Sequence, residues 1–117
     1  MKKEKVIIGI VSKHYNKEVH HFTDTYIRDE VKQAIFDNEA IAIGILPPNF
    51  EKIQAKNDWK DNFNLKEKQD LIEQINLCDG IILQGGGFSD EYECLVAKYC
   101  YDNNIPILGI CAGNNNM

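Results

Sequence analysis

Toward its end the chain reads Ile105-Pro106-Ile107-Leu108-Gly109-Ile110-Cys111-Ala112-Gly113, an apolar run that delivers a cysteine between two glycines. Glycine two residues before and two after a nucleophile is the spacing of a strand-to-helix elbow, a strained turn in which small neighbours let the reactive atom stand clear. Cys111 is therefore the candidate catalytic nucleophile. By residue type alone a cysteine at a strand end is packing. The glycines and the helix that an elbow feeds tilt the reading toward chemistry, because a helix N-terminus lowers a thiol pKa and favours the thiolate.

A second candidate is Gly85-Gly86-Gly87, which closes another apolar run. Read plainly it is a flexible turn; read chemically, backbone N–H groups unobstructed by side chains can face an oxyanion on a substrate carbonyl. His14 and the pair His20-His21 invite a cysteine–histidine dyad. Nothing in their spacing turns a ring toward Cys111, and they read as loop surface residues.

The elements that must position these groups follow from hydrophobic periodicity. Lys5 to Val11 is a nearly unbroken β-branched run, which predicts a first, central strand buried on both faces of a parallel sheet. Ser12-Lys13-His14-Tyr15 then reads as a polar loop. From Thr23 to Asn38 apolar residues at Ile27, Val31, Ala34 and Ile35 predict a helix, with Thr23 or Asp24 as N-cap. Ala40 to Leu46 is a second strand, ended by Pro47-Pro48 because neither proline can donate to a ladder.

The polar stretch from Asn49 to Asn64, with Trp59 and Phe63, reads as a long connection. Leu65, Leu71, Ile72 and Ile75 give a second amphipathic helix, and Asp79 to Gln84 a third strand ended by the glycines. Tyr92, Leu95, Val96, Tyr99 and Cys100 form a third helical stripe, with Ser89 as N-cap and Asp90, Glu91 and Glu93 near the positive end of its dipole. The fourth strand begins at Pro106, a position proline tolerates.

Strand, helix, strand, helix, strand, helix, strand is the pattern of an open, doubly wound α/β sheet. Ligands of such sheets collect outside the carboxyl ends of the strands. The Ser12–Tyr15 loop, the triple glycine and Cys111 all fall there, and that convergence lifts the cysteine above its background.

Composition bounds the function. The chain has 117 residues, one domain's worth, with 44% hydrophobic and 26% charged residues. A net charge of -5 offers no basic face for nucleic acid. The apolar stretch after Lys5 is too short for a signal peptide or a membrane span, so no membrane association and a cytoplasmic location are expected. The four cysteines include no C-x-x-C pair and read as thiols; Cys94 and Cys100 sit on different faces of one helix, so neither a metal site nor another cofactor is expected. Nor is there a G-x-G-x-x-G after the first strand to hold a nucleotide or flavin.

The stretch Cys78-Asp79-Gly80-Ile81-Ile82-Leu83-Gln84-Gly85-Gly86-Gly87, the acidic helix after it, and Ile105 to Gly113 together resemble class I glutamine amidotransferase domains. Among them the chain is most similar to the gamma-glutamyl-gamma-aminobutyrate hydrolase group, peptidase family C26, whose N-terminal half also resembles Val6 to Ser12 and Ile45-Leu46-Pro47. The resemblance implies a flavodoxin-like three-layer sandwich, present here as the N-terminal part of the domain and ending after the fourth strand. It implies a cysteine-nucleophile hydrolase of γ-glutamyl amide bonds, acting on a small γ-glutamyl or glutamine-like substrate. Carried over, Cys111 matches the nucleophile, and the backbones of Ala112, Gly86 and Gly87, in the segment that starts at Gly85, match the oxyanion donors.

Two departures stand out. Asn115 stands where the family usually has glutamine, and the family's catalytic histidine and its acidic partner lie beyond Met117. The chain alone is therefore expected to be catalytically incompetent, and its fourth strand to leave a bare apolar edge through which it dimerises. The alternative is a non-catalytic α/β module that binds a ligand at its strand ends or a partner along that edge.

Overall fold

The computed structural model describes residues 5–17, 22–48, 64–85 and 91–110. Four parallel strands make the main sheet: β1 (Ile7–Val11), β4 (Ile41–Ile45), β5 (Gly80–Leu83) and β6 (Ile107–Gly109), in the spatial order β4-β1-β5-β6. β1 is central, as its β-branched run predicts: Ile7 pairs with Ile41, and Ile8 with Gly80. β6 joins through Ile81 opposite Ile107 and Leu83 opposite Gly109.

Three described helices link these strands: α1 (Asp29–Asp37), α2 (Leu65–Ile75) and α3 (Glu91–Asp102). α2 and α3 lie on one face, where Leu71, Ile75, Val96, Ala97 and Cys100 close over Val11, Ile45, Ile81 and Leu83. Strand residues alternate sides, so Ile8, Ile82 and Leu108 face the other way, toward α1 with its Val31, Ala34 and Ile35. Helices on both faces of a parallel sheet are the doubly wound architecture that the sequence predicts.

The segment between β1 and α1 departs from the prediction. In place of a polar loop and a helix from Thr23, the chain forms an antiparallel hairpin of β2 (Lys13–Lys17) and β3 (Phe22–Tyr26), with Lys13 opposite Tyr26 and Lys17 opposite Phe22. Neither Thr23 nor Asp24 caps a helix. Phe22-Thr23-Asp24-Thr25-Tyr26 is rich in β-branched and aromatic residues, and pairing with β2 gives its backbone groups partners that an isolated helical turn cannot. α1 instead starts after Arg28, which holds an extended backbone (φ -69°, ψ 136°) and has no side-chain cap bond; Asp29 and Glu30 occupy its first turn.

α2 has a strong start signal: the Asn64 side chain accepts from the Glu67 amide at 2.8 Å while the Glu67 carboxylate accepts from the Asn64 amide at 2.9 Å, a capping box. Its Gln74 reaches the end of edge strand β4, accepting from the Leu46 amide at 2.7 Å and donating to the Leu46 carbonyl at 2.8 Å. The two backbone groups just past the end of β4 are thereby satisfied by a side chain.

Candidate functional site

Because the four strands are parallel, their carboxyl ends share one rim of the sheet. β1 exits there through Ser12 into Lys13, β5 through Gln84 into Gly85, and β6 into Ile110. The Ser12 amide donates to the Ile45 carbonyl at 3.1 Å, and the Ile110 amide to the Leu83 carbonyl at 3.0 Å. The last bond matters most. It seats the residue before Cys111 beside the strand that leads into Gly85, so the nucleophile candidate and the glycine segment leave the sheet from adjacent strands.

Cys111, Ala112, Gly86 and Gly87 themselves lie outside the described residues, as do His20, His21 and the Ser89 cap position. His14 falls on β2 as backbone. Gly85 is buried at the rim. The structure therefore brings together the stems of the two predicted site segments.

What the sequence reading missed is a buried polar cluster at this rim. Ser12, Lys13, Gln84 and Glu93 are 0%, 3%, 0% and 0% exposed. The Gln84 side-chain amide donates to the Val11 carbonyl at 3.0 Å and the Tyr26 carbonyl at 3.3 Å, while its oxygen accepts from the Arg28 amide at 2.7 Å. One side chain thus ties the end of β1, the end of β3 and the start of α1 to β5. The Lys13 ammonium lies 3.3 Å from each oxygen of the Glu93 carboxylate, an ion pair closed off from water.

The signals for these residues were present. Glu93, Val96, Ala97 and Cys100 fall at i, i+3, i+4 and i+7, the spacing of one helix face, so Glu93 occupies the buried stripe of α3. Reading it as an acid near the helix dipole identified the turn but not the partner. A carboxylate on a buried stripe demands a cation, and Lys13, two residues past the end of β1, supplies it.

The other cysteines behave as packing. Cys100 is fully buried in the core, and that burial, followed by the nearness of Cys78, raises its thiol from 9.0 to about 11. Cys78 is half-buried, its thiol donating to the Gln74 carbonyl at 3.6 Å. Cys94 is half-buried on α3. Cys100, closed off in the core with its pKa raised, lacks the exposed setting of a reactive thiol.

Order 2-1-3-4 among the parallel strands, helices on both faces and a polar rim at the carboxyl ends define a flavodoxin-like α/β domain. The chain belongs to the class-I glutamine amidotransferase family, whose family model matches residues 34–117. It is 31% identical over 112 residues to CTP synthase of Sulfurisphaera tokodaii, covering 94% of this chain and 18% of that protein. It is 43% identical over 49 residues to CTP synthase of Chlamydia trachomatis serovar L2, covering 40% of this chain and 9% of the relative. CTP synthase of Methanococcoides burtonii is 38% identical over 58 residues, 47% of this chain and 11% of that protein. The chain thus spans under a fifth of the length of these curated relatives. They support the amidotransferase class and add nothing to the narrower resemblance to the peptidase C26 group. Among the described residues no helix is long and apolar enough to cross a membrane.

Proposed function

We propose that this chain supplies the nucleophile-bearing part of an active site that hydrolyses the side-chain amide of glutamine or a related γ-glutamyl amide. The observation that carries the reading is the Ile110–Leu83 bond, which makes the stems of the cysteine elbow and of the glycine segment neighbours at the sheet rim, inside a family match that runs through both. Cys111 as thiolate adds to the amide carbonyl carbon. The oxyanion so formed takes hydrogen bonds from backbone N–H groups of Gly86, Gly87 and Ala112. Expulsion of the amine needs a proton, and a γ-glutamyl thioester remains for water to cleave.

The proton donor in such a reaction is the family's histidine with its acidic partner, which the resemblance matches to none of the residues carried over here. Without a general acid–base, roughly 10²–10⁴-fold in rate is forfeited. Glutamine is the substrate that the family's description favours; release of a larger amine from a γ-glutamyl compound is the narrower, hydrolase-type form of the same chemistry.

A chloroketone analogue of glutamine, with CH2Cl in place of the amide nitrogen, tests both. The Cys111 sulfur displaces chloride, a C–S bond forming as the C–Cl bond breaks, and the adduct is located by fragment mass spectrometry. Labelling of Cys111 faster than by chloroacetone, slowed by glutamine, and lost in Cys111→Ala is the expected result. Slowing by γ-glutamyl-γ-aminobutyrate but not by glutamine favours the hydrolase form. Equal rates for the two chloroketones indicate a non-catalytic module.

A further inference from the structure

The β2–β3 hairpin stands apart from the sheet it grows out of. Among the described residues its two strands pair with each other and with no strand of the main sheet. A lone two-stranded hairpin is marginally stable in water, so its hold on the body decides whether it stays in place. That hold has two sides. On the β4 side the chain enters at Ser12, whose amide donates to the Ile45 carbonyl at 3.1 Å, and leaves at Ile27, whose Cδ1 lies 2.8 Å from where a Cβ on Gly44 would be. On the other side β5 and α3 hold the base pair of the hairpin, Lys13 opposite Tyr26. There Gln84 donates to the Tyr26 carbonyl at 3.3 Å, and both oxygens of the Glu93 carboxylate lie 3.3 Å from the Lys13 ammonium.

The two sides differ in kind. One backbone bond and one apolar contact at the ends of the hairpin let the chain beyond them turn. The Lys13–Glu93 pair allows no such sliding: sealed from water, it is either closed in good geometry or open with both charges hydrated. Its net hold is modest, because the cost of drying the two charges offsets much of their attraction. A contact that is exacting in geometry and modest in strength behaves as a catch.

We propose that the β2–β3 hairpin is a hinged arm, turning about Ser12 and Ile27 and latched shut by Lys13 and Glu93, which opens as one unit while the main sheet stays folded. Opening hydrates both charges and brings water to Gln84 and Glu93 at the carboxyl-end rim, where ligands of doubly wound sheets collect. Access to that side of the rim is therefore set by the latch.

Amide hydrogen exchange of the 117-residue chain, followed by NMR in low urea, tests this. The amides that pair β2 with β3 are expected to share one opening, at least about tenfold more frequent than that of β1 and β5. In Glu93→Gln the buried Lys13 charge loses its carboxylate, which penalises the closed arm. Hairpin exchange should then rise at least about tenfold further, with β1 and β5 within about twofold of the original chain. The double variant Lys13→Met/Glu93→Leu, which puts apolar side chains of similar volume in place of the pair, should bring hairpin exchange back to within about threefold of the original. Exchange that slows steadily from the far end of the hairpin to its base is fraying and overturns the proposal. So does a hairpin that exchanges together with the main sheet, a comparison made on the unaltered chain and independent of how any variant folds. An effect of Glu93→Gln spread equally over hairpin and sheet, or its failure to fold, overturns it as well, since the pair is then part of the global core.

Discussion

Gly9 and Cys100 show how closely the core behind the site is filled. A Cβ at Gly9 would lie 2.6 Å from the Cys78 sulfur and 3.0 Å from the Cδ1 atoms of Ile45 and Ile81, so the central strand has no room for even a methyl group there. Gly9→Ala is expected to destabilise by about 1–3 kcal/mol in urea unfolding. Adding Cys78→Ala, which removes the nearest obstruction, should return part of that loss, and strictly additive effects would place the strain elsewhere. Cys100 sets a pH limit. Its folded-state pKa of about 11 lies above the ordinary value of 9.0, so burial of the neutral thiol stabilises fully below about pH 9. As pH rises from 9.0 toward 11 the unfolded chain gives up this proton first, and the stabilisation is lost. The melting temperature should therefore fall across that window, and Cys100→Ala should flatten the fall while lowering stability at neutral pH through the cavity it leaves.

At the scale of elements, two helices stop by the same device with unequal residues. After α1 the Glu39 amide donates to Phe36 and the Ala40 amide to Ile35; after α3 the Asn104 amide donates to Tyr101 and the Ile105 amide to Cys100. Both are Schellman closures, and both place a non-glycine residue in the left-handed region, Glu39 at φ 61° and Asn104 at φ 57°. Asparagine tolerates that region; glutamate does not. Glu39→Gly should raise stability by about 0.5–1 kcal/mol in urea unfolding, whereas Asn104→Gly should change it less.

These elements also show what a sequence can and cannot say. β1, β4, β5, α2 and α3 were legible because their apolar residues repeat with a period that burial imposes. The hairpin was not, because Lys13-His14-Tyr15-Asn16-Lys17 has no apolar face and owes its form to pairing with residues 22–26. Likewise, Cys111 and the glycines declare their chemistry by local spacing. Lys13 and Glu93 are 80 residues apart, and only the fold brings them together.

The molecule as a whole carries an asymmetry that bears on its behaviour in solution. On the α2–α3 side the sheet is covered, but on the α1 side cover reaches only part way: Leu108 on β6 is 57% exposed, Val6 52%, and Ile82 half-buried beside them. β6 is the outermost strand of the sheet among the described residues, and the exposed Leu108 brings an apolar surface to that same edge. Either alone is tolerable; together they give a second copy both a hydrophobic reason to dock and a ladder to extend. The 117-residue chain is accordingly expected to self-associate through β6, and sedimentation at about 50 µM, a concentration suited to weak contacts, should show a dimer. Leu108→Lys places a charge on that surface without touching the covered core, and should shift the population to monomer with an unchanged urea midpoint measured at low protein concentration. A monomer before the substitution, or a dimer untouched by it, would show that the edge is closed by other means.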